Sequence, residues 1–264
     1  MTTKLYFSLS SNPGNFGSTF YNKIFKLANF NGAYHALKCN DNEDFFKKVN
    51  ALWDINASGI SVSMPFKSIA RSYKNTVAGD SAAFYLNNCN TIIPSKNMFY
   101  NTDYYGIKNS IQINKNKKIF AIIIGNGAMA ETYKYYLSTL TCKSLNIITF
   151  DKKVINKNII FHNLKEYENS DYKILINASP IGMPHVDAKN IKLINEYYIS
   201  KFDHIVDSVV SKSNTDLISI SEYLGKQATK GITIYKNQFK KQFELYTGIC
   251  PSQEWIDEAE LGIK

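Results

Sequence analysis

The sequence predicts an α/β protein of two domains, and three observations carry that prediction. The chain has 264 residues, enough for two domains of ordinary size. Strand-like and helix-like apolar patterns alternate through its first part. A second series opens on six consecutive apolar residues, Ile119 to Ile124, that run into a glycine-bearing turn.

In order along the chain, Lys4 to Leu9 reads as a strand and Ser18 to Ala28 as a helix with an apolar stripe. Ala33 to Leu37 is a second strand, and Asp41 caps a helix that extends to about Trp53. Ile60 to Met64 is a strand closed by Pro65. Strand followed by helix implies a mostly parallel sheet covered on both faces. Thr91 to Pro94 and Met98 to Tyr100 form a hairpin about Lys96 and Asn97, and a helix follows Asp103. The basic stretch Asn114 to Lys118 opens the second domain. There the expected strands are Ile119 to Ile124, Leu145 to Phe150, Lys173 to Asn177 and His204 to Asp207. A helix runs to about Leu140, a long one from Gly231 to about Tyr246, and a last one starts at Ser252. No internal repeat is present.

Composition narrows the function. Hydrophobic residues make up 44% of the chain, so it can bury a substantial core. No apolar run is long enough to span a membrane, and the start Met-Thr-Thr-Lys-Leu-Tyr-Phe lacks a signal-peptide core; a cytoplasmic protein is expected. Cys39, Cys89, Cys142 and Cys250 are scattered and the histidines are unpaired, so neither a disulfide framework nor a metal site is expected. The net charge of +9 raises nucleic-acid binding, but Arg71 is the only arginine and the lysines are dispersed rather than clustered. The expected partner is a small molecule, with neither nucleic acid nor membrane.

The second domain carries the more explicit motif. The strand ending at Ile124 leads into Gly125-x-Gly127-x-x-Ala130, which opens a helix: the order a dinucleotide-binding loop requires. Gly125 permits a tight turn, Gly127 lets a pyrophosphate approach the backbone, and Ala130 allows helix to pack closely on strand. The helix N-terminus then offers unpaired N–H groups to the phosphates. Asp151 ends the next strand, where a carboxylate accepts bonds from the adenine ribose and favours NAD; Lys152 and Lys153 can instead attract the 2′-phosphate of NADP. NADP and NAD both stay open, with a lean to NAD.

In the first domain, Lys67 follows the strand-end proline in Ser61-Val62-Ser63-Met64-Pro65-Phe66-Lys67, and Asn90-Thr91 and Asn101-Thr102-Asp103 lie at later strand ends. Strand C-termini of a parallel sheet converge on one crevice, where a lysine beside an aspartate can transfer a proton at a hydroxyl or ketone carbon. Asp103 also suits a helix cap, and Asn90 a turn.

At these residues the chain resembles the shikimate dehydrogenase family over nearly its whole length. Ser63 to Lys67 resembles the end of N-V-T-x-P-x-K, Asn88 to Thr91 resembles A-V-N-T, and Tyr100 to Asp103 resembles x-N-T-D. Asn177 to Met183 resembles N-A-T-P-x-G-M, and Gly231, Gln238 and Phe243 fit the spacing of the C-terminal helix motif. Ser8-Leu9-Ser10, Asn15-Phe16-Gly17 and Gln242 to Thr247 are closest to the shikimate dehydrogenase-like branch.

The resemblance implies a substrate-binding and catalytic domain of residues 1–104 plus 232–264 and a Rossmann-type NAD(P)-binding domain of residues 105–231, with the active site in the cleft between them. It implies reversible hydride transfer between 3-dehydroshikimate and shikimate, or a related cyclic hydroxy acid such as quinate, by a monomer or homodimer. Lys67 would move the proton and Asp103 would orient it. Asn90 and Gln238 would bind ring hydroxyls. Ser18 and Ser10 would contact the substrate carboxylate, with Ser63 helping to hold the ring. Gly125, Gly127 and Ala130 would hold the pyrophosphate, and Met183 would pack near the nicotinamide.

Three departures bear on specificity. The family's S-x-S clamp falls at Phe16 and Ser18, so one serine is missing unless Ser8 or Ser10 replaces it. Val210 stands where D-x-x-Y-x-P has its tyrosine. Phe150-Asp151-Lys152 replaces the N-R-T of NADP-using relatives. A lost hydrogen bond to a charged group costs about 1.5–3 kcal/mol. These changes keep open an alternative, a dinucleotide- or metabolite-binding regulatory protein with little turnover.

Overall fold

The computed structural model of the chain describes residues 2–73, 76–113, 116–150, 167–183, 196–211 and 213–261. They fall into two compact units, Met1–Thr102 with Phe239–Lys264, and Asp103–Gln238.

The first unit contains β1 (Lys4–Ser10), α1 (Phe16–Leu27), β2 (Gly32–Lys38), α2 (Asn42–Asp54), β3 (Gly59–Val62), α3 (Lys67–Ala70), β4 (Val77–Ala78), α4 (Ser81–Tyr85), β5 (Thr91–Ile93) and β6 (Met98–Tyr100). Asp41 caps α2 as its sequence position implies, its carboxylate accepting from Asp44 N at 2.8 Å. The sheet order is β2-β1-β3-β5-β6-β4. The β1–β2, β1–β3 and β4–β6 pairs are parallel, while β3–β5 and β5–β6 are antiparallel. The β5–β6 link is a short 3₁₀ turn, Pro94–Lys96, followed by Asn97 at φ 51°; it has no room for a crossover helix, so the strands must run antiparallel. Leu9, Phe45, Val49, Ile60, Phe66 and Ile92 form one core. A second layer is aromatic: the Tyr21 ring stacks on Tyr34 at 4.1 Å and meets Phe239 edge-on at 4.7 Å.

The second unit begins within α5 (Thr102–Ser110) and continues through β7 (Lys118–Ile124), α6 (Ala128–Ser138), β8 (Ser144–Phe150), β9 (Tyr172–Asn177), α7 (Glu196–Ile199), β10 (His204–Asp207), α8 (Asp216–Tyr223) and β11 (Gln227–Thr229). It ends within α9 (Gly231–Thr247); the final helix, α10 (Gln253–Leu261), belongs to the first unit. The sheet is parallel throughout, in the order β11-β10-β9-β7-β8. Alternation along the central strand supplies both faces. Ile119, Ala121 and Ile123 pack with Tyr133 and Ile174, while Phe120, Ile122 and Ile124 pack with Leu175, Phe202 and Ile205. No helix among the described residues is long and apolar enough to cross a membrane.

His204 starts β10 fully buried, with Nδ1 2.9 Å from Tyr172 Oη and Nε2 2.8 Å from Thr229 Oγ1. Burial pushes its imidazole from the ordinary 6.5 down to about 4. The unfolded chain therefore binds this proton near pH 6.5 and the folded one only near pH 4, so stability falls as the pH drops through that window. The loss is up to about 3 kcal/mol. Chemical denaturation of wild type and His204→Gln between pH 4 and 7 should show this slope in the wild type alone.

Candidate active site

In the first unit, main-chain bonds draw four expected site residues to one edge of the sheet. Ser8 and Leu9 of β1 pair with Ser61 and Val62 of β3. One step on, Ser63 N donates to Leu9 O at 2.9 Å. Val62 N donates to Asn90 O at 2.8 Å, and Cys89 N to Lys67 O at 2.9 Å. Ser10, Ser63, Lys67 and Asn90 thus share the carboxyl-terminal side of β1 and β3. Lys67 is the first, half-buried residue of α3.

Strand alternation sorts the serines into two tiers on one face. The inner hydroxyls of Ser8 and Ser61 bond the Tyr34 hydroxyl, and Ser61 Oγ is also 2.8 Å from Tyr246 Oη. Burial pushes the Tyr34 phenol up to about 12 and Tyr246 well above its usual value, so both stay protonated. The outer hydroxyls, on Ser10 and Ser63, have no hydrogen-bond partner among the described residues; Ser10 is buried and Ser63 exposed. Ser18 differs, because its Oγ donates to Asn15 O at 3.1 Å in the first turn of α1. Ser8, one of the two possible stand-ins for the missing clamp serine, is thus engaged in the core.

Asn90 is buried, with its amide oriented by its oxygen. That oxygen accepts from Thr91 Oγ1 at 2.9 Å, Thr102 N at 2.9 Å and Thr102 Oγ1 at 3.0 Å. Its NH₂ group has no hydrogen-bond partner among the described residues. Gln242 supports the arrangement: Nε2 donates to Asn90 O at 3.2 Å and Thr91 Oγ1 at 2.6 Å, while Oε1 accepts from Tyr21 Oη at 2.6 Å. Sequence reasoning used Gln242 only as part of a family motif. The one readable signal was its place one helical turn beyond Gln238.

Asp103 and Gln238 belong to the second unit, both buried. Asp103 is in the first turn of α5. One turn later, a Cβ on Gly106 would fall 2.7 Å from Ile234 O and 2.8 Å from Gln238 Cβ. Only glycine lets α5 and α9 approach this closely, and the approach sets Gln238 beside the start of α5.

The glycine loop lies at the carboxyl end of β7, between β8 on one side and β9 on the other. Strand order reverses there, which makes it the switch point of a doubly wound sheet. Gly125 has φ +119°, and a Cβ on it would stand 2.9 Å from both C and O of Ala178. Ala178 N in turn donates to Ile124 O at 2.8 Å. Gly127 is the N-cap of α6; among the described residues no side chain bonds that helix end, and a Cβ at Gly127 would meet nothing within 4 Å. A tight turn, open space and a helix start without a side-chain cap together fit a pyrophosphate. Ala130 is fully buried against the sheet, and Met183 is half-buried in the turn after β9, its N–H donating to Pro180 O at 3.1 Å. Asp151, Lys152 and Lys153 lie outside the described residues. Val210, in the tyrosine's place, is exposed.

The all-parallel order and the glycine turn at its switch point define the second unit as a doubly wound domain of the dinucleotide-binding type. Residues 16–92 match the shikimate dehydrogenase substrate binding domain. The chain is 31% identical to a shikimate dehydrogenase-like protein of Haemophilus influenzae, over 97% of its own length and 95% of the relative's. It is 26% identical to the shikimate dehydrogenase (NADP(+)) of Clostridium beijerinckii, over 86% and 85%. The solved structure of a shikimate 5-dehydrogenase-like protein superposes with a TM-score of 0.78 at 26% identity, covering 98% of this chain and 97% of that one. The chain belongs to the shikimate dehydrogenase family.

The two loop glycines should respond differently to the same substitution. Gly125→Ala combines a positive φ with a clash against backbone and should cost about 1–3 kcal/mol. Gly127→Ala meets open space and should leave thermal unfolding near wild type; comparing the two melting curves checks both.

Proposed function

We propose that the protein is an NAD(P)-dependent dehydrogenase that interconverts a ring alcohol of shikimate, or of a related cyclic hydroxy acid such as quinate, with the corresponding ketone. The first unit is its substrate-binding and catalytic domain and the second its dinucleotide-binding domain. The observation that carries this reading is the convergence of family motif residues on strand ends, where Lys67 and the open amide of Asn90 share one edge of the first sheet.

When bound, NADP or NAD supplies or takes the hydride. The residues of the chain manage everything else. In the oxidising direction the Lys67 amine takes the proton from the ring hydroxyl as the carbinol C–H leaves as hydride, and the C–O bond becomes a carbonyl; the reverse reaction returns that proton to the oxygen. The family resemblance gives Asp103 the role of orienting the proton-transfer group and accepting from a ring hydroxyl. The Asn90 NH₂ donates to another hydroxyl, from an amide already fixed by Thr91 and Thr102, and Gln238 serves a third. For the carboxylate, Ser10 and Ser63 are better placed than Ser18, whose hydroxyl is already engaged. Gly125, Gly127 and Ala130 shape the phosphate cradle, and Met183 packs toward the nicotinamide. The net charge of +9 favours encounter with an anionic acid and dinucleotide.

Purified protein should reduce NADP or NAD in the presence of shikimate or quinate, followed by reduced-nicotinamide absorbance. Lys67→Ala should lower kcat by about 10²–10⁴ while calorimetry shows unchanged dinucleotide binding. Turnover that survives in this variant, or wild-type protein inert toward both acids with both dinucleotides, would sink the reading. Ser10→Ala should raise the KM for the acid about tenfold or more, and Ser18→Ala should raise it far less; equal effects would move the carboxylate to the α1 turn.

A further inference from the structure

The second unit buries one carboxylate to which none of the preceding roles applies. Asp207 ends β10 at 1% exposure. Its Oδ1 accepts from Asn177 Nδ2 at 2.9 Å and from Val209 N at 3.1 Å, and its Oδ2 accepts from Thr215 Oγ1 at 2.5 Å. No lysine or arginine pairs with it among the described residues. A charge taken out of water without a counter-charge is costly, so stability alone does not account for an aspartate here. What the partners share is that each donates a proton. A carboxylate can accept from all three at once, whereas an asparagine would present an N–H to one of them.

Those three bonds join segments that meet at the switch point. Asn177 closes β9, and besides reaching Asp207 its Nδ2 donates to Ile181 O at 3.0 Å. Its Oδ1 accepts from Ser179 Oγ at 2.7 Å and Ser179 N at 3.1 Å. The turn from Asn177 to Met183 is thereby pinned from within, and the residue between the two anchors is Ala178, the backbone on which Gly125 rests. Thr215, the third partner, is also the N-cap of α8 and accepts from Ile218 N at 3.3 Å. The neighbouring Ser208 adds a tie to the glycine-loop helix: its Oγ is 2.8 Å from Tyr133 Oη on α6, and its N–H donates to Asn177 O at 3.0 Å.

We infer that Asp207 is a positioning residue of the dinucleotide site: through Asn177 it holds the Ala178–Met183 turn against the Gly125 turn and the start of α6. It touches no reacting atom. The inference rests on the reading that the second unit binds a nicotinamide dinucleotide.

The test uses full-length Asp207→Ala, Asp207→Asn and Thr215→Val, each assayed well below its own melting temperature. Dinucleotide binding is measured by calorimetry without acid substrate, and KM is measured for dinucleotide and for shikimate separately. Asp207→Ala should weaken dinucleotide binding about tenfold or more and raise the dinucleotide KM in parallel, with the shikimate KM within about threefold of wild type. Asp207→Asn keeps the acceptor for Asn177 and Val209 and should recover most of the loss. Thr215→Val should show the same split more weakly, which carries the test if Asp207→Ala does not fold. Wild-type dinucleotide affinity in both folded variants would overturn the inference. So would a loss confined to melting temperature, or one shared equally by the two KM values. Wild-type protein that binds neither NADP nor NAD would instead overturn the functional reading beneath it.

Discussion

Gly125 sits with its Cα so near the Ala178 carbonyl that no side chain fits between them, and the organisation of the second unit follows from that approach. β7 and β9 are adjacent, parallel and reversed in their onward connections, so their carboxyl ends open a crevice rather than closing on each other. The chain leaving β7 must turn within two residues and start a helix whose first N–H groups face that crevice. A positive φ at Gly125 makes the turn, and the empty volume at Gly127 keeps the helix start accessible. A side chain at the first glycine would push the β7 and β9 ends apart; one at the second would leave the fold intact and fill the crevice.

The first unit solves a different problem, which is to hold polar side chains rigidly at strand ends while most of its interior is apolar. It does so by spending one face of each polar residue on structure. The Asn90 oxygen, the Gln242 amide and the inner hydroxyls of Ser8 and Ser61 are all engaged, with Tyr21, Tyr34 and Tyr246 as partners. Because burial keeps Tyr34 and Tyr246 protonated, their network does not change with pH across the physiological range. A group held in this way loses little freedom when a ligand arrives, and the Asn90 NH₂ benefits from it.

Asp207 and His204 stand at opposite ends of β10 and show two ways of burying a titratable group. His204 is kept neutral by burial, with both ring nitrogens partnered. Burial also pushes the Asp207 carboxyl above the usual range, but bonds from Thr215, Val209 and Asn177 work in the opposite direction. The first arrangement tunes stability with pH. The second ties loops together at the end of the strand where ligands bind in such sheets.

Much of this protein was readable before folding because its signals are local. Six apolar residues before Gly125, the apolar stripe of α1 and the cap at Asp41 each depend on neighbours within a turn or a strand. The glycine loop and the ordered family motifs were legible for the same reason. The short elements α3, β4, α4, α7 and β11 were not, since each spans too few residues to repeat a period. The hairpin of β5 and β6 was legible, but the antiparallel pairing of β5 with β3 was hidden, being decided by which strand edges meet. The largest gap concerns chemically identical residues with different fates. Ser8 and Ser10 read alike in the sequence, yet one bonds a buried tyrosine and the other keeps an open hydroxyl. Asp207 read as the end of a strand and the first residue of the D-x-x-Y-x-P segment, with no role of its own, and its partners Asn177 and Thr215 lie on separate segments. Residue types and periodicity are properties of the chain; which donors find which acceptors across strands is decided only when burial removes water as the competing partner.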